Sequence, residues 1–160
     1  MGHDITAYNP TVDRKALRKE YDIADLGGDG WYDRYTEYCK KTELARNSRS
    51  AGNPLNQVLY LALGVMDQAY NGCSGNGETL EISKSEFETA KKILEGKSFS
   101  GMTRPRNMAD DLFDALKGAG FQAVECAHQN DDISQEAKFI DDCLRFMEEN
   151  SIEYLEVNFS

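Results

Sequence analysis

At 160 residues the chain has the length of one ordinary domain, enough to bury about 70 % of its unfolded surface without a metal or a disulfide framework. Its 40 % hydrophobic content, with eight Tyr, seven Phe and one Trp against three Pro, excludes wholesale disorder. A net charge of −10 argues against nucleic acid and anionic membrane as partners, because such a surface repels phosphate.

In chain order, residues 5–8 are β-prone and end at Asn9-Pro10, which predicts a first strand and a turn. Residues 13–22 are helix-compatible but highly charged, and Gly27-Gly28-Asp29-Gly30 breaks the chain before an aromatic segment that predicts a helix over 31–46. A polar loop is expected at 46–52. Asn53 as N-cap and Pro54 at the first helical position then open a helix running to Tyr70, whose apolar residues cover most of its circumference and predict the central helix of the domain. Asn71-Gly72 ends it.

Residues 79–82 predict a short strand, and Ser83 with Glu86 has capping-box spacing for a helix reaching Leu94. An exposed loop is expected over 95–106, a helix capped by Asn107 with core residues Met108, Leu112, Phe113 and Leu116, and a strand over 121–127. Asp132 with Gln135 again has capping-box spacing, and Phe139, Ile140, Cys143, Leu144 and Met147 give the last helix one apolar face. Residues 154–159 alternate apolar and polar as a half-buried strand does. The expected fold is a single α+β domain over 1–160, with a small, mostly antiparallel sheet that includes both terminal strands and packs against four or five helices. Residues 10–50 read as a charged, partly helical insertion.

Chemistry-bearing residues are sparse. The glycine-rich run Tyr70-Asn71-Gly72-Cys73-Ser74-Gly75-Asn76-Gly77 could aim backbone N–H groups at an anion, or could serve only as a C-cap and tight turn. It is no P-loop, since no Gly-Lys-Ser/Thr follows and the order is helix to strand. His3 and Asp4 could pair as a base or metal ligand with its orienting carboxylate, or simply fix the strand end against the loop. Only two histidines, His3 and His128, and four cysteines without a CxxC pair are present, so neither metal nor cofactor is expected. Asp22, Asp25, Asp29 and Asp33 miss the EF-hand spacing. Ser74 lies in no nucleophile elbow.

Together with the pentapeptide Met1-Gly2-His3-Asp4-Ile5, the 83–88 run Ser-Lys-Ser-Glu-Phe-Glu and the late helix over 139–146, the glycine-rich run resembles a group of small bacterial and phage proteins that begin with the same five residues. The resemblance covers about a third of the chain in separated blocks. It implies an α+β domain and no particular chemistry.

Two functional readings follow. The first is a non-enzymatic acidic interaction protein, such as an inhibitor, immunity or phage counter-defence factor, that binds a basic surface on a partner protein. Residues 1–106 carry 15 basic and 15 acidic side chains whereas 107–160 carry 3 and 13, so Asp110, Asp111, Asp114, Asp141, Asp142, Glu148 and Glu149 form the expected partner face. Trp31, Tyr32 and Tyr35 add an aromatic cluster of the kind binding hot spots use. The second reading is a small-ligand binding protein or hydrolase with His3, Asp4, Tyr70, Asn71, Ser74, Gly75 and Asn76 around one pocket. No run of about 18 apolar residues and no secretory layout is present, and the cysteines suit a reducing compartment, so a cytoplasmic address is expected.

Overall fold

Alternation of apolar and polar side chains turns both ends of the chain into neighbouring strands of one sheet. The computed structural model describes residues 2–24, 28–50, 53–72, 74–95 and 133–160. Strands β1 (Gly2–Tyr8), β2 (Glu43–Ser50), β3 (Thr79–Ser83) and β4 (Tyr154–Phe159) form an antiparallel sheet in the order β2-β1-β4-β3. The expected α+β architecture with paired terminal strands is therefore present. Ile5 lies opposite Phe159 and Ala7 opposite Val157, and this register puts all four on the face that also carries Leu155 and Ile82, each almost wholly buried.

That inner face is covered by helices α3 (Val58–Ala62), α5 (Lys84–Glu95) and α6 (Ser134–Asn150). They contribute Val58, Leu59 and Tyr60, then Phe87, Ala90 and Leu94, and last Phe139, Ile140, Cys143, Leu144 and Met147 to a common core. Burial of this apolar surface is the main stabilising term, at about 25 cal/mol per Å². Helix α5 starts as expected, with the Ser83 amide donating to Glu86 Oε2 at 2.7 Å and the Glu86 amide donating back to Ser83 Oγ at 3.3 Å. Short helix α1 (Arg14–Glu20), capped by Asp13, leads by way of Gly30 to α2 (Trp31–Thr42).

Two expectations are corrected. Residues 43–50 are an edge strand, and α2 stops at Thr42. Asn47 and Arg49 point inward from β2 because both hydrogen-bond the carboxylate of Glu136 on α6, so the strand lacks the apolar alternation that marks its neighbours. The helix expected over 53–70 is also not continuous. Asn53 caps it, accepting from the Leu55 amide at 2.8 Å, but Pro54–Gln57 is a 3-10 turn, α3 follows, and α4 (Met66–Ala69) is separate. Gly64, at φ +71°, ends α3 with bonds from its own N–H to Leu61 and from Val65 N–H to Tyr60, the Schellman arrangement that left-handed glycine permits. The loop at 96–106, the 107–118 helix, the 121–127 strand, Asp132 and the carboxylates Asp110, Asp111 and Asp114 lie outside the described residues. Helix α6 begins after Ile133, whose own side chain makes no cap bond.

Candidate functional site

Because successive residues of a strand face opposite ways, β1 sends His3 into the core and Asp4 to the other side of the sheet. His3 is 1 % exposed. Its ring lies nearly parallel to Tyr70 at 5.8 Å and edge-on to Tyr60 at 6.1 Å. The Asn56 side-chain amide reaches its Nε2 at 3.1 Å. Asp4 pairs with Arg46 at 3.0 Å on the outer face. Burial alone would raise its carboxyl, but hydrogen bonds from Ser48 and Arg46 and the Arg46 charge hold it below its ordinary value. The two side chains thus lie on opposite faces of the sheet.

The glycine-rich run does meet His3, through Tyr70. The Tyr70 hydroxyl accepts from Gln57 at 3.0 Å and donates to the Gly72 carbonyl at 3.0 Å. Beyond it the amides of Ser74, Asn76, Gly77 and Glu78 donate to Asn71 Oδ1, the Ala69 carbonyl, the Phe159 carbonyl and Asn76 Oδ1. These amides are engaged with protein acceptors and form no anion cradle. Gly75 is required by close approach: a Cβ there would sit 2.5 Å from the Phe159 carbonyl carbon and oxygen. The loop's evident work is to lock the C-terminal strand against β1.

Beside this cluster the Tyr60 ring is fully buried, and its hydroxyl has no hydrogen-bond partner among the described residues. Burial, with smaller contributions from Tyr70 and Asp4, pushes the hydroxyl up to about 12. An unfolded tyrosine releases its proton near pH 10 whereas the fold retains it to about 12; the folded state binds more protons in that window, so stability falls as pH rises across it. The Cys143 thiol, raised mainly by burial, extends the same loss to lower pH. Tyr60→Phe removes an unsatisfied buried hydroxyl and is expected to stabilise the fold by about 1 kcal/mol. It should also flatten the loss between pH 10 and 12. Denaturant titrations at pH 8 and pH 11 check both; equal midpoints for variant and wild type at both values would contradict the account.

The aromatic residues of α2 present a different picture. Trp31 and Tyr35 stack at 5.0 Å, Tyr35 and Tyr38 at 6.4 Å, and Tyr32, one turn before Tyr35, is 74 % exposed. Thr42 is the one buried residue of the twelve. The helix is tethered through its N-terminal end, where Trp31 Nε1 donates to the Ile23 carbonyl at 3.3 Å and Arg34 donates to the carbonyls of Tyr21 and Asp29.

On α6 the expected acidic face is largely neutralised. Asp141 pairs with Lys91 at 2.9 Å, Asp142 with Lys138 and with Arg145 at 2.6 Å, and Glu148 with Lys84 at 3.8 Å, while Glu149 is exposed. Sequence reasoning missed Glu136, which is fully buried and takes Arg49 in a fork at 2.7 and 2.6 Å with Asn47 at 3.2 Å. A signal was available, because Glu136 falls three, four, seven and eleven residues before Phe139, Ile140, Cys143 and Met147, on the buried stripe.

Among the described residues no group of three or more His, Cys, Asp or Glu side chains could hold a metal ion, and no helix is long and apolar enough to cross a membrane. Comparison with models of known protein families, with curated proteins and with solved structures found no match.

Proposed function

We propose that the protein is a non-enzymatic interaction protein of the inhibitor, immunity or counter-defence type, which docks a partner protein carrying a basic surface. The observation that carries this reading is α2. A twelve-residue helix with four aromatic side chains, of which Trp31, Tyr35 and Tyr38 are half-buried and Tyr32 is 74 % exposed, presents rigid aromatic groups of the kind that hot spots use. The net charge of −10 supplies the long-range attraction to a basic partner, so charge speeds the encounter and α2 holds the complex. The free thiols of Cys39 and Cys143 fit the reducing cytoplasm as its place of work.

A photo-crosslinking amino acid placed at Tyr32, compared with one at exposed Glu88 on α5, tests the reading in lysate. Position 32 is expected to give one dominant protein adduct that fades as salt is raised. The same adducts from both positions, or none from position 32, would overturn it.

A further inference from the structure

At the end of the sheet near α1, the outer face carries an arrangement that core packing does not require. Glu81 of β3 lies directly opposite Glu156 of β4, and like charges so placed destabilise a sheet unless a cation joins them. Arg14 of α1 brings a cation to Glu156 of this pair. It forms an ion pair with Glu156 and holds its guanidinium 3.9 Å from the centre of the Tyr8 ring. The open groove around it measures about 600 Å³, and its lining also includes Tyr38, Glu81 and Tyr154, with Lys15 and Arg18 on the α1 wall. Tyr154 is 60 % exposed, Glu81 is exposed, and the Arg14 side chain retains a third of its own surface in water.

We propose that this groove is a guanidinium site, filled from within the chain by Arg14 and open to an arginine side chain of the partner that displaces it. Tyrosine faces beside carboxylates are the surroundings in which a planar guanidinium gains both stacking and hydrogen bonds, where a lysine ammonium gains less. The charges agree with an exchange. With Arg14 seated, Arg14, Lys15 and Arg18 balance Asp13, Glu81 and Glu156 among the lining residues; when Arg14 leaves, one negative charge is in excess, and an incoming guanidinium restores the balance. The proposal rests on the reading of a basic partner and names the side chain that partner must offer. Tyr38, on α2, brings the groove beside the docking helix.

The test is a titration of the full chain with N-acetyl-arginine amide, followed by NMR of the Tyr8, Tyr38 and Tyr154 rings. Removing the internal competitor, as Arg14→Ala or the length-preserving Arg14→Gln, is expected to tighten binding by about fivefold or more, since the occupied fraction of the site no longer taxes affinity. Adding Glu156→Gln to Arg14→Ala should reverse that gain, and N-acetyl-lysine amide should bind more weakly than the arginine compound. Unchanged affinity when Arg14 is removed, or indifference to Glu156→Gln, would overturn the proposal. Because the probe is not the partner, a failed titration with the position-32 adduct intact refutes the guanidinium site alone, whereas loss of that adduct refutes the docking reading.

Discussion

Replacing Glu136 by alanine is expected to cost about 3 kcal/mol of stability, at the lower end of what breaking a buried ion pair costs, because Arg49 is not wholly enclosed. Glu136 has no exposed side-chain surface, while Arg49 keeps 17 % of its own. The carboxylate satisfies two β2 side chains at once, so its loss strips the inner face of β2 of its tie to α6. A chain of this size should melt about 6–12 °C lower as a result. The pair is also replaceable. Arg49→Met and Asn47→Leu combined with Glu136→Leu remove both charges and the amide that shares the carboxylate, and should recover most of the loss, since apolar groups of similar volume substitute well for buried ion pairs. A Glu136→Ala melting point within 2 °C of wild type, by the same conversion under about 1 kcal/mol, would sink the claim that this clamp fixes the edge strand.

Gly75→Val is the second substitution expected to have a large effect. The nearest atoms to a Cβ at this position are the backbone carbonyl of Phe159 and the amide nitrogen of Ser160, at 2.5 and 2.7 Å. Backbone cannot rotate away as a side chain would, so the 70–77 loop must lift from β4. Lifting strains the bond from Gly77 N–H to the Phe159 carbonyl and, through Ser160, the reciprocal bonds with Asp4 on β1. Overpacking of this kind costs about 1–3 kcal/mol or more. The companion Gly64→Ala meets no neighbour and bears only the strain of its φ of +71°, about 1 kcal/mol. Hydrogen exchange separates the two: Gly75→Val should lose protection at Gly77 and across the β1–β4 junction, and Gly64→Ala should not. Equal protection losses in both variants would contradict the close-approach argument.

The parts of this fold that could be read from the sequence are those where local pattern and global packing agree. β4 alternates cleanly, Asn53 and Ser83 carry their caps, and the apolar stripe of α6 has one orientation that buries it. β2 was illegible because its inward positions hold Asn47 and Arg49, whose burial depends on a carboxylate 87 or more residues away. No local rule anticipates that pairing. The central helix was overextended because apolar residues continue through Leu63 and Val65 around Gly64, and both stay buried after the helix turns away. The candidate site divided in the same manner. His3, Tyr70 and the glycine-rich run do come together, but the period of two that defines β1 sends Asp4 to the opposite face. The excess negative charge was countable from sequence, and Lys138 and Arg145 stand at helical spacing from Asp142, whereas the lysines that answer Asp141 and Glu148 become visible only once α5 and α6 are packed.

The account's central claim is that α2, and not the acidic side of α6, holds the partner. Its most direct test is the affinity of the protein crosslinked at position 32 for Tyr32→Ala/Tyr35→Ala, with Glu148→Gln/Glu149→Gln measured alongside. The aromatic variant should bind about thirtyfold more weakly, the scale of a 2 kcal/mol hot spot, with an unchanged salt dependence, while the acidic variant should shift salt dependence and little else. Aromatic-variant affinity within about threefold of wild type, well below hot-spot scale, together with collapse of binding in the acidic variant, would contradict it.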